Sequence, residues 1–337
     1  MPTRQLPSLS VVIPNHNHGH FIGRALQSLL TQNVKPKEII VIDDGSTDDS
    51  VAVIGEFMRR DSIIHLLKNE RNQGVEASTV RGLSQVSGDY VYLTSSDDQV
   101  LPGFVEQSLA VLARHPWAGL VWSDNMTYDA DTGIRNANRL HLSETPCYFS
   151  STELVELFRR NHLPCLSGFS SVMTRSALLE RGVYVPALQW YADGFATTVI
   201  ALRYGACYIP RVLTQSHMSS QSYMRRSTKQ RRKRNRVFDH VLELAKSPEY
   251  SDIYPLIKKS GVLGWFGLPI LSRALLNTKH WDYLTVSFLR RVVWIGAKKG
   301  ISNVSPRFVK AVYYLIRDYY RRNVRKNIKT ELMEKTL

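Results

Sequence analysis

Two carboxylates stand side by side at Asp97-Asp98, directly after the run Asp89-Tyr-Val-Tyr-Leu-Thr94. Paired carboxylates repel, and one of them holds its proton too tightly unless a cation sits beside it. A divalent cation removes that penalty. Mg²⁺ or Mn²⁺ takes oxygen ligands, commonly one or two carboxylates with substrate phosphates completing the shell. A second pair, Asp43-Asp44, ends the apolar run Glu38-Ile-Ile-Val-Ile42. A helix cap explains one acidic residue in this stretch, and Asp48 or Ser46 is the expected cap. Two adjacent carboxylates are better suited to accept hydrogen bonds from a base or ribose. Asp193, in Trp190-Tyr-Ala-Asp193-Gly, is either an N-cap or a general base with Trp190 as an aromatic wall on the acceptor side. His217 is either a polar surface group or a ligand to a metal or phosphate.

These residues need a scaffold that brings them to one place. Leu9–Ile13, Glu38–Ile42, Ile63–Leu67, Asp89–Leu93 and Leu120–Trp122 read as short strands, rich in β-branched and aromatic residues. Between them, His20–Leu30, Val51–Met58, Glu76–Val86 and Phe104–Ala113 carry apolar residues at helical spacing. Alternation of this kind predicts an α/β fold with a mostly parallel central sheet flanked by helices. Ligands of such sheets bind at the carboxyl ends of the strands, near a reversal of strand order. Three polar clusters fall there: Pro14–Asn17, Asp43–Ser46 and Ser95–Asp98. Residues 124 to 151 read as loops and short strands over the site. Further on, Ser151–Arg160 reads as a helix, Phe169–Met173 as a strand, Tyr191–Arg203 as a helix and Ala206–Pro210 as a short strand.

Charge divides the chain. From Arg225 onward there are 26 Lys and Arg against 8 Asp and Glu, whereas residues 1 to 224 carry 18 against 21. The expected organisation is therefore a body over 1–224 and a basic, aromatic-containing helical appendage over 225–337, with breaks near Pro248, Pro255, Pro269 and Pro306. Trp265, Phe266, Trp281, Trp294, Tyr313-Tyr314 and Tyr319-Tyr320 follow the basic run Arg225–Arg236. Cations with aromatics suit an anionic membrane surface. Nucleic acid is disfavoured, because no recognised motif accompanies the charge and the body is slightly acidic. Apolar residues at 43% and charged residues at 22% argue against a disordered chain. Cys147, Cys165 and Cys207 match no zinc spacing and read as reduced thiols of a cytoplasmic protein. Met1–Leu6 does not read as a secretory leader, and no window reaches the length of a spanning helix.

The motifs resemble those of the family 2 inverting glycosyltransferases, which have a GT-A fold and use nucleotide-sugar donors. The resemblance rests on Ser10-Val-Val-Ile-Pro-Asn-His-Asn17, Ser28-Leu-Leu-Thr-Gln32, Glu38 to Asp48, Asn72-Gln-Gly74 and Gly88-Asp-Tyr-Val91. It implies that Pro14, His16, Asn17, Asp43, Asp44 and Asp97 bind the donor nucleotide, with Asp44 facing the base. It implies Asp98 and His217 for a divalent Mn²⁺ or Mg²⁺, and Asp193 as the catalytic base. It further implies a UDP-sugar donor, a glycan or lipid-linked acceptor, and work in cell-envelope polysaccharide synthesis at the inner face of the cytoplasmic membrane. Ser95 stands where many members carry Asp, and Thr79-Val80 where many carry Arg-Asn. A nucleotidyltransferase would need a Gly- and basic-rich phosphate loop, but Pro14–Gly19 offers one Gly and no Lys or Arg. The remaining alternative is a non-catalytic nucleotide-sugar-binding module with a basic partner-binding tail.

Overall fold

The structure, a computed structural model, describes residues 6–179 and 182–298. Its strands are β1 (Leu9–Asn15), β2 (Glu38–Asp43), β3 (Ile64–Lys68), β4 (Tyr90–Leu93), β5 (Gln99–Val100), β6 (Leu120–Asp129), β7 (Ile134–Asn138), β8 (Cys147–Phe149), β9 (Ser171–Thr174) and β10 (Ala206–Met218). They form one sheet in the order β3-β2-β1-β4-β9-β6-β10-β5, with β7 paired to β6 and β8 to β10. β1 lies parallel to both β2 and β4, so the chain order reverses around β1. β9 inserts antiparallel between β4 and β6, while β6 and β10 are parallel. This is the expected α/β architecture, mostly parallel in its central strands.

The body helices are α1 (Gly19–Leu30), α2 (Ser50–Arg60), α3 (Val75–Leu83), α4 (Phe104–Arg114), α5 (Ser151–Arg159), α6 (Arg175–Leu179) and α7 (Ala192–Tyr204). They cover both faces of the sheet, which is why its central strands are apolar throughout. Val11, Ile13, Ile39 and Val41 point into the layer with α1, α2 and α4. Val12, Ile40 and Ile42 point the other way, toward α5, α7 and the later helices. The period-two alternation of side chains therefore feeds two cores at once.

β6 and β10 are longer than the sequence suggested. β6 continues through Asp129 and turns back as β7, and β10 continues past Pro210 to Met218. Register shifts between Ile209 and Thr214 absorb Pro210, which has no N–H for the ladder. The extension pairs Asn125–Asp129 with Thr214–Met218 and carries His217 above the main sheet. Its residues are polar and half-exposed, so hydrophobic periodicity did not mark it.

The helices that follow are α8 (Tyr223–Lys229), α9 (Arg231–Leu244), α10 (Tyr254–Ser260), α11 (Leu268–Leu276) and α12 (Val286–Lys298). Pro255 and Pro269 lie in the first turns of α10 and α11, and Pro248 starts a short 3₁₀ turn. Pro306 and the Tyr313-Tyr314 and Tyr319-Tyr320 pairs lie outside the described residues. Amphipathic α9 buries Val237, Phe238, Val241 and Leu242. Phe238 and Phe266 meet Trp190 edge-on at 6.0 and 5.8 Å, and Tyr191 meets Phe266 at 4.6 Å. One contiguous core runs from Val12 to Val292, so the helices after 225 pack into the body. Among the described residues, no helix is long and apolar enough to cross a membrane.

This shared core predicts shared stability. Phe238→Ala should cost about 3–5 kcal/mol. Urea unfolding should remain a single transition, with far-UV circular dichroism and tryptophan fluorescence shifting together. Two separated transitions would show that the α9–α12 layer folds apart from the sheet.

Candidate active site at the strand ends

The site begins with two nearly inaccessible carboxylates, Asp43 and Asp44, at 2% and 3% exposure. Asp43 accepts hydrogen bonds from Asn15 Nδ2 at 3.0 Å, Ser46 N–H at 3.1 Å and Ser46 Oγ at 2.6 Å. It thereby ties the end of β2 to the end of β1. Asp44 Oδ1 accepts from Asn69 Nδ2 at 2.6 Å and Gln73 N–H at 2.9 Å, and Oδ2 from Gly74 N–H at 2.8 Å. Burial pushes the Asp44 carboxyl up, but the Asn69 side chain and the Gln73 and Gly74 amides outweigh it, and the group sits below the usual range. The Ser78 side chain adds a further hydrogen bond that favours the charged form. Gly45 makes the arrangement possible. Its φ is +69°, and a Cβ there would meet the Arg71 backbone at 2.8 Å, so the loop that wraps Asp44 could not close.

The neighbouring residues follow from these bonds. His16 Nδ1 lies 2.9 Å from the Asp44 carbonyl oxygen, which can only accept, so Nδ1 carries the proton. Asn17, at φ +52°, donates its N–H to Ser46 Oγ at 2.9 Å and accepts the Thr47 N–H on Oδ1 at 2.7 Å. Asp48 accepts from Ser50 N–H at 3.0 Å, in the first turn of α2, and from Gly19 N–H at 2.9 Å, at the start of α1. It thus serves two helix ends. Ser46, the other cap candidate, instead joins the Asp43 cluster. Pro14 stands in β1 opposite Ile42, one residue below.

Asp97 and Asp98 close the second side. Asp98 Oδ1 accepts the His217 main-chain N–H at 3.0 Å. Burial pushes the Asp98 carboxyl well above the usual range, and the Asp97 charge adds to this; the His217 N–H opposes it, and Asp193 adds further repulsion. His18 joins the cluster, with Nδ1 2.8 Å from Ser96 Oγ. Its burial lowers its proton affinity, although Asp97 pulls the other way. The imidazole of His217 packs against Phe21 at 4.6 Å and Tyr128 at 5.5 Å between ring centroids. The structure therefore brings His217 to Asp98 through its main chain, with the ring held by aromatics.

Asp193 lies in the first turn of α7, whose N-cap is Tyr191 and has no side-chain cap bond. The carboxylate instead accepts the Gly168 N–H on Oδ2 at 2.9 Å. Burial raises its proton affinity, and the Gly168 amide opposes this. A Cβ on Gly168 would come within 2.7 Å of that oxygen, so only glycine fits. Nothing in the sequence marked Gly168, because its role depends on a partner 25 positions away. Asn69 was also missed, although a polar residue directly after an apolar strand was a signal. Four residues before Asp193, Gln189 is held at φ 49° and ψ −129°. Such a conformation costs about 1–3 kcal/mol and persists only where packing imposes it. Here Trp190 and Tyr191, locked against Phe238 and Phe266, impose it.

The hard oxygens of Asp97 and Asp98 suit a divalent cation. Among the described residues no group of three or more His, Cys, Asp and Glu forms a complete metal cage. The protein fits a shell completed by phosphate oxygens and water. Above the site, α8 is tied down at two points. Arg225 pairs with Asp129 at 2.5 Å and Asp131 at 3.4 Å, and the Tyr223 hydroxyl bonds Glu76 in the first turn of α3. Arg225, the first residue of the basic run, is thus a structural ion pair.

Residues 10–182, just over half of the chain, match the family described as Glycosyl transferase family 2. The chain belongs to this family. The match includes both acidic pairs and stops before Asp193 and His217. GlyA of Streptococcus pneumoniae is 31% identical over 141 residues, covering 42% of this chain and 18% of GlyA. A GalNAc(5)-diNAcBac-PP-undecaprenol beta-1,3-glucosyltransferase of Campylobacter jejuni is 35% identical over 99 residues, covering 29% and 32%. The chain thus spans well under half the length of either relative. The structure of S. aureus TarS residues 1–349 in complex with UDP-GlcNAc superposes with a TM-score of 0.61 at 17% identity, covering 77% of this chain and 72% of that one. That likeness establishes the GT-A fold.

A carboxyl that holds its proton more tightly folded than unfolded adds stability below the unfolded pKa and loses it as pH rises through the folded value. At neutral pH the raised proton affinity of Asp98 therefore costs stability in the metal-free protein. Asp98→Asn should raise the metal-free melting temperature at pH 7.5 by ~1–3 °C. The same variant should lose the further rise that Mn²⁺ gives wild type. A lower melting temperature than wild type in EDTA would contradict this electrostatic reading.

Proposed function

We propose that this glycosyltransferase-family chain moves a sugar from a nucleoside-diphosphate donor, a UDP-sugar, to a hydroxyl of a glycan or lipid-linked acceptor, with inversion. The observation that supports the reading is the buried Asp98 carboxyl, hydrogen-bonded by the His217 amide and repelled by Asp97 and Asp193, on a sheet edge that also carries Asp43 and Asp44. The TarS structures with UDP-GlcNAc and UDP support a uridine donor, and the Campylobacter relative's name, which carries an undecaprenol-linked glycan, supports a lipid-linked acceptor. Residues 1–224 carry the chemistry in this reading, and the region from 225 buttresses it.

The side chains divide the work. Asp44 faces the base in a pocket formed with Pro14, His16, Asn17 and Asp43. Asp97 meets the ribose. Asp98, with His217 beside it, holds Mn²⁺ or Mg²⁺, as members of this family generally require. When bound, the cation would offset the negative charge of the leaving diphosphate. Asp193 takes the proton from the acceptor hydroxyl, and burial raises its proton affinity in the direction that a base needs. The acceptor oxygen attacks the anomeric carbon from the face opposite the diphosphate. One base suffices for such a single displacement. Trp190 stiffens the acceptor-side wall.

The exposed Arg231, Arg232, Lys233 and Arg236 at the start of α9 support attachment to an anionic membrane surface, at the cytoplasmic face where lipid-linked acceptors would lie. Co-sedimentation with vesicles containing anionic lipid should fall when these four are changed to Glu, and should weaken with salt. Binding that ignores both changes would refute the contact.

The transfer reading is tested by nucleotide release from UDP-, GDP- and dTDP-sugars with Mn²⁺, Mg²⁺ or EDTA. One donor should be turned over in a metal-dependent manner. Asp193→Asn should lower the rate by ~10²-fold or more and keep nucleotide affinity. Gly168→Ala should act in the same direction, since its Cβ displaces the carboxylate. An Asp193→Asn enzyme as fast as wild type would remove Asp193 from the chemistry.

A further inference from the structure

Arg291 is the largest fully buried side chain of the described residues, at 1% exposure, and it has no carboxylate partner among them. It projects from α12, in the region that the sequence separates from the body by charge. Its Nη1 donates to the Phe158 carbonyl at 2.5 Å, and its Nη2 donates to the Leu163 carbonyl at 2.7 Å and to that of Pro164. The guanidinium lies over the Phe158 ring at 5.5 Å and the Trp265 ring at 5.9 Å. Burial pushes its pKa down to about 10, so it stays cationic near neutral pH. Burying an unpaired cation is costly, and a rigid fork of donors is suited to gathering several carbonyls.

Capping α5 accounts for only one of the three bonds. The Phe158 carbonyl belongs to the C-terminal turn of α5, where a cation is favourable. Leu163 and Pro164 lie beyond the helix, on the segment that leads within four residues to Gly168. At the far end of that segment, Gly168 N–H binds Asp193 Oδ2, and the Phe169 carbonyl accepts the Tyr92 hydroxyl at 2.8 Å. The segment is therefore pinned by Arg291 at one end and by β4 and the carboxylate at the other.

We infer that Arg291 is a positioning residue for Asp193: by gathering the carbonyls of Phe158, Leu163 and Pro164, the C-terminal helical region sets where the Gly168 amide stands, and that amide orients the base. The inference rests on the transfer reading for its kinetic consequence, whereas the contact itself is open to a test that needs no turnover.

The experiment compares full-length wild type, Arg291→Lys and Val292→Ala by amide hydrogen exchange and by nucleotide release from the donor preferred by wild type. Val292 is a buried neighbour on the same helix and reports loss of packing alone. Arg291→Lys should speed exchange across residues 158–170 and leave 71–76 unchanged. Its kcat should fall about tenfold or more with donor KM within about twofold, as expected for a misplaced base. Val292→Ala should show neither effect at matched stability. Should Arg291→Lys not fold, Arg291→Gln keeps two donors without burying a charge and takes its place. Unchanged exchange at 158–170, or a kcat equal to that of Val292→Ala, overturns the inference. If wild type itself releases no nucleotide, the transfer reading fails alone, and the exchange comparison still decides whether Arg291 holds the segment.

Discussion

Carboxylates crowded out of water need donors, and most of the site's local structure follows from how many each receives. Asp44 is nearly inaccessible, yet three donors hold it ionised. Asp193 receives the Gly168 amide on one oxygen, and Asp98 receives the amide of His217 alongside the charges of Asp97 and Asp193. Their proton affinities accordingly move in opposite directions: Asp44 falls, whereas Asp98 and Asp193 rise. A satisfied carboxylate stays charged. Under-satisfied carboxylates are suited to a cation or a proton. One backbone device, the main-chain amide aimed inward, thus sorts three chemically identical groups into different tasks.

Main-chain amides can be aimed this way only where the backbone is free to bend and no side chain intervenes. Gly74 donates to Asp44 at φ +96°, Gly45 lets the Arg71 backbone approach, and Gly168 leaves room for Asp193. The sheet supplies the rest. Because β1 is flanked by β2 and β4, the loops after these strands open on the same edge, and residues 15, 43–44 and 95–98 converge there. The extended β6–β10 pair adds the amide of His217 from above.

The layer of α9–α12 belongs to the same mechanical unit. Trp190, Phe238 and Phe266 lock the strained turn before Asp193, and Arg291 grips the segment before Gly168. Both flanks of Asp193 are therefore held by residues beyond 225, a region rich in positive charge. Among the described residues of this region, the fully buried Arg291 organises backbone.

The amino-acid sequence by itself determined the alternating elements, since apolar runs such as Leu9–Ile13 and Glu38–Ile42 have no other stable use than a sheet covered on both faces. It also determined that acidic pairs end two of those strands, because a strand end is where an apolar run meets Asp43-Asp44. Proline placement marked the later helix starts for the same local reason: a ring without an N–H fits only a first turn. Tertiary structure alone decided what each acid became. The donors to Asp44 come from 25 to 30 positions away, the amide facing Asp98 from 119, and the amide facing Asp193 from 25. It alone extended β6 and β10 through polar residues that carry no periodic signal, and it alone turned Arg291 from one basic residue among many into a buried clamp. Pattern in a sequence reports which groups prefer water; a buried hydrogen bond depends on which distant backbone folds against them.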